Sequence, residues 1–173
     1  MDLQPSLENE LVHVIPLLES DFEQLYKVAS DPLIWEQHPN KDRYKKEVFQ
    51  NFFEGAIESK GAFKIIDKAS GEIIGSTRFY DLNEVKKSIL IGYTFYARNC
   101  WGSNYNPKIK ELMLNYAFQF INTVYFHIGA ENIRSQKAIE RLGAIKVKKI
   151  EVAYHGEPKK LNFEYQIEKN NWK

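Results

Sequence analysis

Hydrophobic residues follow two different periods along this chain, and the switch between them marks the predicted elements. In seven segments apolar and β-branched residues alternate with polar ones or run together, which is typical of strands. In four other segments apolar residues recur at helical spacing, which is typical of amphipathic helices. The predicted strands are Leu11–Leu17, Ala62–Asp67, Glu72–Tyr80, Ser88–Tyr96, Thr123–Gly129, Ile145–Tyr154 and Leu161–Glu168. The predicted helices begin near Ser20, Tyr44, Pro107 and Asn132.

Capping and turn residues separate these elements. Ser20 and Glu23 have the spacing of a capping box, which opens the first helix. Gly143 follows the last helix and suits a left-handed C-cap. The three middle strands are joined by short polar turns and predict an antiparallel meander. The element order βααβββαβαββ therefore predicts an α/β (α+β) fold, in which helices cover both faces of a mixed sheet.

Composition and charge exclude several classes of protein. The 173 residues suit one domain, residues 1–173, and a hydrophobic content of 43% argues against disorder. The net charge of +1 gives no electrostatic basis for binding nucleic acid or an anionic membrane. No apolar run approaches the ~20 residues that span a bilayer, and the first residues lack a signal-peptide pattern. We therefore expect a cytoplasmic protein.

Cysteine and histidine offer no basis for a metal site. The single cysteine, Cys100, excludes an internal disulfide and any multi-cysteine metal cluster. It has no histidine or aspartate at an interpretable distance in sequence, which disfavours a thiol nucleophile. The four histidines contain no His-x-x-x-His pair and are His13, His38, His127 and His155. No metal is expected.

The stretch from Ile91 to Phe120 is the most informative part of the chain. It reads as a strand, a loop of small and polar residues, and a helix with Pro107 in its first turn. A helix N-terminus leaves about four N–H groups unpaired and carries about half a positive charge, so it binds phosphate without a basic side chain. The loop has neither the Walker pattern nor Gly-x-Gly-x-x-Gly. We expect a phosphorylated cofactor of another class; an ordinary strand–loop–helix crossover is the alternative.

Several short motifs occur in an order and at a spacing that together are specific. They are Gly71–Gly75, Ile91–Tyr93, Trp101-Gly102 with Tyr116–Phe118, and Asn132–Ser135 with Glu140–Ala144. Together they resemble the GNAT superfamily of acyl-CoA-dependent N-acyltransferases, and within it the ribosomal-protein N-terminal acetyltransferase-like branch. The resemblance extends from Leu11 to Glu168 and implies a mixed, mostly antiparallel sheet of about seven strands with about four helices. It further implies acetyl-CoA as donor, a primary amine as acceptor, and direct attack of the amine on the thioester.

Two positions depart from the family pattern. Asn104 stands where the family loop has a small residue close to the pyrophosphate, although asparagine tolerates left-handed backbone and its side chain is able to donate to phosphate. Ile139 stands where many relatives have a tyrosine that protonates the leaving thiolate. If the protein is an acetyltransferase, another group or water has to supply that proton.

The resemblance implies a set of cofactor-binding groups. Backbone N–H groups of the loop would hold the pyrophosphate, and the Asn132 amide would contact the pantetheine arm, with helix capping as its alternative role. Arg134 and Lys137 would reach the adenosine phosphates or lie free at the surface. The expected set is Phe95, Gly102, Ser103, Asn104, Tyr105, Asn106, Asn132, Arg134, Ser135 and Lys137.

Three catalytic roles need candidates. The resemblance implies a backbone N–H near Tyr93 as the oxyanion donor, and losing such a donor typically costs about 10²–10³ in rate. Ser135 is the candidate proton donor, with a structural serine at a helix start as the alternative. Asp81 is the candidate general base, because a protonated amine has to lose a proton before it attacks. Other possible bases, each also explicable as a turn or capping residue, are Glu36, His38 and Glu131.

The acceptor is left open by the sequence. Aromatic residues that would wall its pocket, or pack in the core instead, are Trp35, Phe79, Tyr80 and Tyr93. They suit a protein N-terminus or a small-molecule amine, and the near-neutral charge selects neither. A non-catalytic acyl-CoA-binding or sensing module is the alternative function, because of the Asn104 and Ile139 departures. Monomer and homodimer are both compatible with the sequence.

Overall fold

An eight-stranded sheet runs through the molecule and is flanked by four α-helices. The computed structural model describes residues 1–154 and 156–173, so His155 lies outside it. The strands are β1 (Leu7–Glu8), β2 (Val12–Pro16), β3 (Ala62–Asp67), β4 (Ile73–Asn83), β5 (Ser88–Tyr96), β6 (Thr123–Gly129), β7 (Ile145–Ala153) and β8 (Lys159–Glu168). The helices are α1 (Phe22–Ala29), α2 (Lys46–Ser59), α3 (Tyr105–Ala117) and α4 (Ile133–Arg141).

The strand order is β1-β2-β3-β4-β5-β6-β8-β7, and β5 with β6 is the parallel pair in an otherwise antiparallel sheet. The predicted mixed, mostly antiparallel fold is confirmed. The sheet has eight strands rather than about seven, because the two-residue β1 is too short to show an alternating pattern. Strand β4 also continues past Tyr80 to Asn83, so Asp81 lies on a strand rather than in a turn.

Two hydrophobic clusters fill the space between the sheet and its helices. On one face α1 and α2 bury aromatic residues such as Phe49 and Phe52. On the other face α3 and α4 bury aliphatic residues such as Ile109, Met113 and Ile139 against the strands. Each cluster follows the predicted helical periodicity, because residues three or four apart share one face of a helix. The helices are thereby held against opposite faces of the sheet.

The ends of α4 and α1 confirm one predicted cap and correct another. Gly143 has φ of +98° after α4, as the predicted left-handed cap requires. The capping box predicted at Ser20 and Glu23 is wrong: a 3₁₀ turn precedes α1, and Asp21 takes the reciprocal role with Leu18. The Leu18 N–H donates to the Asp21 carboxylate at 2.8 Å, and the Asp21 N–H donates to the Leu18 carbonyl at 2.9 Å.

Candidate active site

The parallel strands β5 and β6 separate along their length and open a cleft between them. They pair at three positions, Ser88 with Thr123 through Leu90 with Tyr125, and no further. Beyond these positions both strands line a cleft of about 430 Å³ that reaches from the start of α3 to the aromatic residues Trp35, Tyr80 and Tyr93. A break in a sheet exposes backbone groups that a strand neighbour would otherwise satisfy. The cleft is therefore suited to hold an extended ligand arm.

A β-bulge in β5 faces this cleft. Ser76 of β4 pairs with Phe95, whereas Arg78 pairs with Gly92, so two residues of β5 stand opposite one residue of β4. One of them, Tyr93, has φ of +53°, which is unusual for a residue with a side chain. A bulge leaves the extra residue unpaired and re-aims its neighbours. Tyr93 and Phe95, both predicted site residues, line the cleft at this point.

The loop before α3 presents free N–H groups at one end of the cleft. The amides of Gly102, Asn104 and Asn106 have no acceptor among the described residues. Gly102 has φ of +68° and open space where a Cβ would stand. Of the predicted loop residues, Gly102, Ser103 and Asn106 line the cleft, whereas Asn104 and Tyr105 do not. The Tyr105 hydroxyl instead donates to the Asp67 carboxylate at 2.7 Å, and this bond raises the pKa of Tyr105 to about 12.

The start of α4 forms the opposite wall of the cleft. The Asn132 side chain accepts the Ser135 N–H at 3.3 Å, so Asn132 caps α4 and still has its amide N–H groups available. The Arg134 guanidinium lies over the Trp101 ring at 3.9 Å. Asn132, Arg134 and Ser135 line the cleft, whereas Lys137 is exposed outside it. The structure thus brings most of the predicted cofactor residues together.

Aromatic side chains wall the far end of the cleft. The Tyr93 ring stacks edge-on against Tyr80 at 4.9 Å and against Tyr154 at 5.5 Å between ring centroids. Trp35 and His38 continue this wall. We define the aromatic pocket as the part of the cleft lined by Trp35, His38, Tyr80, Tyr93 and Tyr154. Phe79, also expected there, is fully buried in the core instead.

Two buried arginines stand behind the aromatic pocket. Arg43 donates to the Glu157 carboxylate at 2.8 Å and lies over the Phe52 ring at 4.6 Å. Arg78 lies over the Tyr93 ring at 3.7 Å, and no ion pair of its guanidinium occurs within the described part of the chain. Burial lowers the pKa of Arg78 to about 10. Glu157 therefore pairs with one of the two guanidinium groups, and the other lies against aromatic rings.

Among the described residues, two histidines line the cleft, and they differ in what surrounds them. Burial and the nearby Arg43 lower the pKa of His38 well below its usual value, and both of its ring nitrogens already have neighbours, the Asn40 backbone and Arg43. His127 on β6 places Nε2 at 2.8 Å from the Glu164 carboxylate, which leaves Nδ1 without a partner among the described residues. A histidine oriented by a carboxylate is a common arrangement for general-base work.

Sequence reasoning missed His127, because its partner is set by the register of β6 against β8, where His127 stands opposite Glu164. The position of His127 in an alternating strand gave no sign of which face was functional. The carboxylates predicted from the sequence lie elsewhere: Asp81 is exposed on β4 with φ of +51°, and neither Glu36 nor Glu131 lines the cleft. Sequence reasoning also missed Lys110 of α3, which is buried and lines the cleft.

The charged side chains that line the cleft are cationic, and two of them pair with carboxylates outside the lining, Arg43 with Glu157 and Arg134 with Glu36. No aspartate or glutamate is among its described lining residues, whereas four cationic side chains are: Arg43, Lys110, Arg134 and Arg141. Within the described ranges, no group of three or more histidine, cysteine or acidic side chains is placed to share a metal ion. None of the described helices has the length and hydrophobicity needed to traverse a membrane. The cleft therefore suits a ligand with negative charge.

A family profile described as an acetyltransferase (GNAT) domain matches residues 12–145. The chain belongs to the GNAT acetyltransferase family. The family transfers an acetyl group from acetyl-CoA, and the resemblance seen in the sequence is confirmed at this level. The match covers β2 to the end of α4 and so includes both strands of the cleft and both of its helical walls.

Solved GNAT structures share the fold. A GCN5-related N-acetyltransferase from Brucella melitensis has a TM-score of 0.83 at 18% identity, covering 98% of this chain and 80% of that chain. A spermidine N-acetyltransferase from Vibrio cholerae, in complex with CoA and spermine, has a TM-score of 0.70 at 15% identity, with coverage of 94% and 98%. A proposed ribosomal-protein-serine acetyltransferase from Vibrio cholerae gives 0.74 at 12%, with coverage of 97% and 99%. At these identities the likeness shows the fold alone, and the ribosomal-protein branch stays a prediction.

The groups present in this GNAT domain fit the donor that the family uses. Free amides and the open face of Gly102 lie at the start of α3, where the helix dipole favours a diphosphate. Cationic Arg134 adds charge on the other wall. The separating strands then provide polar backbone along the cleft for an amide-bearing arm. The donor set is one of amides and cations, as a phosphorylated ligand requires.

Proposed function

We propose that this GNAT protein is an N-acetyltransferase that moves the acetyl group of acetyl-CoA to a primary amine by direct attack. The observation that carries the proposal is the cleft between β5 and β6, which joins free loop amides at one end to the aromatic pocket at the other. A diphosphate at the loop and an amine in the pocket would both lie within this one space. Bringing two reactants together in fixed geometry supplies much of the rate enhancement of transfer reactions.

His127 is the proposed general base. An alkyl amine has a pKa of ~10.4 and a peptide N-terminal amine one of ~7.7–8.0, so at neutral pH most of either acceptor is protonated and has to lose a proton before it attacks. Glu164 holds His127 Nε2 at 2.8 Å, and both side chains are nearly buried. The free Nδ1 would then accept the proton, directly or through one water. This proposal replaces Asp81, which lies outside the cleft lining.

The bulge in β5 is proposed to stabilise the tetrahedral oxyanion. Because two residues of β5 stand opposite one residue of β4, an amide near Tyr93 and Thr94 is released from the ladder. Released N–H groups that are held rigidly at the point where negative charge develops contribute strongly to catalysis. Phe95 continues the strand along the cleft and is proposed to contact the pantetheine arm through its backbone.

The cofactor-binding role of Asn132 is separable from its capping role by substitution. Asn132→Asp keeps an N-cap oxygen, and so helix α4 should keep its stability, whereas the loss of the amide donor should weaken CoA binding about fivefold, since a hydrogen bond contributes ~1 kcal/mol. Asn132→Ala should lose both, including ~1 kcal/mol of stability. Calorimetric titration with CoA and thermal unfolding measure the two effects. Unchanged CoA affinity in Asn132→Asp would restrict Asn132 to capping.

The acceptor is proposed to carry neutral or negative groups next to its amine. No described carboxylate lines the cleft, so a polyamine would find no counter-charge there. Arg43 lines the cleft beside the aromatic pocket, and Arg78, which has no ion pair within the described part of the chain, lies behind it over the Tyr93 ring. Removing two or more positive charges from water beside a guanidinium is unfavourable. A peptide N-terminus or an amino acid with a nearby carboxylate fits better than spermidine.

Acceptor selectivity gives the matching prediction. A short peptide with aspartate at its second position should have a kcat/KM at least about tenfold above the same peptide with lysine there, because a charge-assisted hydrogen bond contributes ~1.5–3 kcal/mol. CoA release, followed with a thiol reagent, measures both peptides and spermidine under the same conditions. Faster turnover of spermidine than of either peptide would refute the proposed acceptor class while upholding acetyl transfer.

Acetyl transfer itself is tested against the alternative of a non-catalytic acyl-CoA-binding module. The expected result is acetyl-CoA binding in calorimetry and CoA release with at least one member of a broad amine panel. Binding without turnover across that panel would favour the binding module, and absence of binding would overturn both. The cytoplasmic location and the monomeric or dimeric state stay predictions from the sequence.

A further inference from the structure

Lys110 is a buried lysine that lines the cleft and that the roles above leave unused. Lys110 is only 3% exposed, and its Nζ donates to the Thr94 hydroxyl at 2.9 Å. Thr94 is part of the bulge, and its hydroxyl is in turn 2.9 Å from that of Thr77. The amine of Lys110 is thereby held on the same stretch of β5 that is proposed to receive the thioester.

Nothing in the described surroundings neutralises a charge on Lys110. The titratable and charged groups lining the cleft on the elements around it are Tyr93 and Tyr96 on β5, Cys100 before α3, His127 on β6, and Arg134 and Arg141 on α4. None of these is a carboxylate. Burial alone lowers the pKa of Lys110 to about 7, with no contribution from a charged neighbour. A leucine or methionine would fill this place in a helix at less cost, because an unpaired buried amine is unfavourable.

The family resemblance implies a tyrosine that protonates the leaving thiolate in many relatives, and this chain lacks it. Ile139, which occupies the position of that tyrosine, is apolar and also lines the cleft. Ser135 lines it too, but a serine hydroxyl is a weak acid beside an ammonium. Lys110 stands on α3, across the cleft from α4, and carries a proton that it releases near neutral pH.

We infer that the Lys110 ammonium protonates the sulfur of the departing CoA thiolate. The inference rests on the proposed acetyl transfer. The acceptor nitrogen forms a bond to the carbonyl carbon, the carbon–sulfur bond breaks, and its electron pair goes to sulfur. The Nζ–H proton of Lys110 then moves to sulfur and gives the free thiol. Lys110 is left as a neutral amine and regains from solvent the equivalent of the proton that the acceptor lost to His127.

Lys110→Met tests the inference, with Lys108→Met as its matched control on the same helix. Lys108 is a solvent-facing lysine with Glu10 and Glu111 as partners, outside the cleft lining. Lys110→Met should lower kcat about tenfold to a hundredfold, at or below the ~10² lower limit of typical general-acid effects, because a thiol of pKa ~8.5 is already a fair leaving group. The KM for acetyl-CoA should change little, and Lys108→Met should match the wild type.

The pH profile separates proton donation from a structural role. Wild-type kcat should fall on the alkaline side as Lys110 loses its proton, and Lys110→Met should lack this limb. Lys110→Arg keeps the charge but does not release a proton, so it should stay slow. Adding Ile139→Tyr to Lys110→Met restores an acid on the opposite wall and should recover part of kcat.

Stability provides a readout that needs no turnover. The folded-state pKa of Lys110, about 7, lies below that of lysine in an unfolded chain. The unfolded state therefore binds the additional proton between pH ~7 and ~10, and wild-type stability should rise with pH across that window relative to Lys110→Met. Lys110→Met should also melt at a higher temperature near neutral pH.

The possible outcomes separate the inferred role of Lys110 from the proposed acetyl transfer on which it rests. Lys110→Met with wild-type kcat and an intact alkaline limb would overturn the role of Lys110 while acetyl transfer stands. A kcat lost in Ser135→Ala but kept in Lys110→Met would assign the acid to Ser135 and overturn it equally. If the wild type itself releases no CoA with any amine, the proposed acetyl transfer fails instead.

Discussion

Replacing His127 by glutamine should lower kcat by about 10²–10⁴-fold, the usual contribution of a general base. Glutamine is similar in length and keeps a hydrogen bond to Glu164, but it does not accept a proton at neutral pH. The loss should shrink as pH rises toward the acceptor's own pKa, ~7.7–8.0 for a peptide amine, because free amine then needs no base. Initial rates of CoA release across pH, at saturating acetyl-CoA, measure both effects.

Two further variants serve as comparisons for His127→Gln. His13→Gln alters an exposed histidine that pairs with Glu8 on the far edge of the sheet, and it should leave kcat unchanged. Glu164→Gln removes the carboxylate that orients His127 and should lower kcat by a smaller factor. If His127→Gln loses activity equally at all pH values, His127 acts in packing rather than as a base. If it loses none, the base lies elsewhere.

Gly102→Trp should weaken CoA binding at least about a hundredfold. Each charge-assisted hydrogen bond that the indole blocks contributes ~1.5–3 kcal/mol, so two blocked bonds account for this loss of affinity. The left-handed backbone, which costs ~1–2 kcal/mol in a residue with a side chain, lowers the stability of the variant instead. The φ of +68° and the open space at the Cβ position mean that the indole would stand over the free amides instead of in the core. Calorimetric titration with CoA measures the change.

Gly71→Trp is the control for backbone strain in this experiment. Gly71 has φ of +75°, also has nothing within 4 Å of the position that a Cβ would take, and lies in the turn between β3 and β4, outside the cleft lining. It should lose a similar amount of stability and keep its CoA affinity. Equal weakening of CoA binding in both variants, or in neither, would contradict the assignment of the diphosphate to the α3 loop.

The contrast between His127 and Gly102 shows which parts of the candidate site could be predicted from the sequence. The α3 loop was predicted from the sequence because its proposed function depends on local backbone: a strand end, a short polar loop, and a helix that starts within a few residues. The capping role of Asn132, which the sequence offered as the alternative to cofactor binding, is also local and is confirmed. Asn104 and Tyr105 belong to the same loop but fall outside the cleft lining, because side-chain direction at a helix start is set by packing.

His127 and Lys110 were missed because neither has a local signal. His127 acquires its partner from the pairing of β6 with β8, 37 positions away in sequence. Lys110 looks like any surface lysine of an amphipathic helix until α3 is placed against β5, and its one polar contact within the described residues is with Thr94 on that strand. Asp81 was favoured because a strand end was expected at Tyr80, whereas β4 continues to Asn83.

The sequence by itself determined the element order, the mixed sheet, the GNAT family and the helix start that is proposed to bind the diphosphate, because periodicity, caps and short motifs act over a few neighbouring residues. The tertiary structure alone decided which side chains meet in the cleft. The register of β6 on β8, the bulge in β5 and the burial of Lys110 depend on how distant segments pack. Proton transfer depends on such long-range contacts, and for that reason the fold could be predicted from the sequence whereas the proposed acid and base could not.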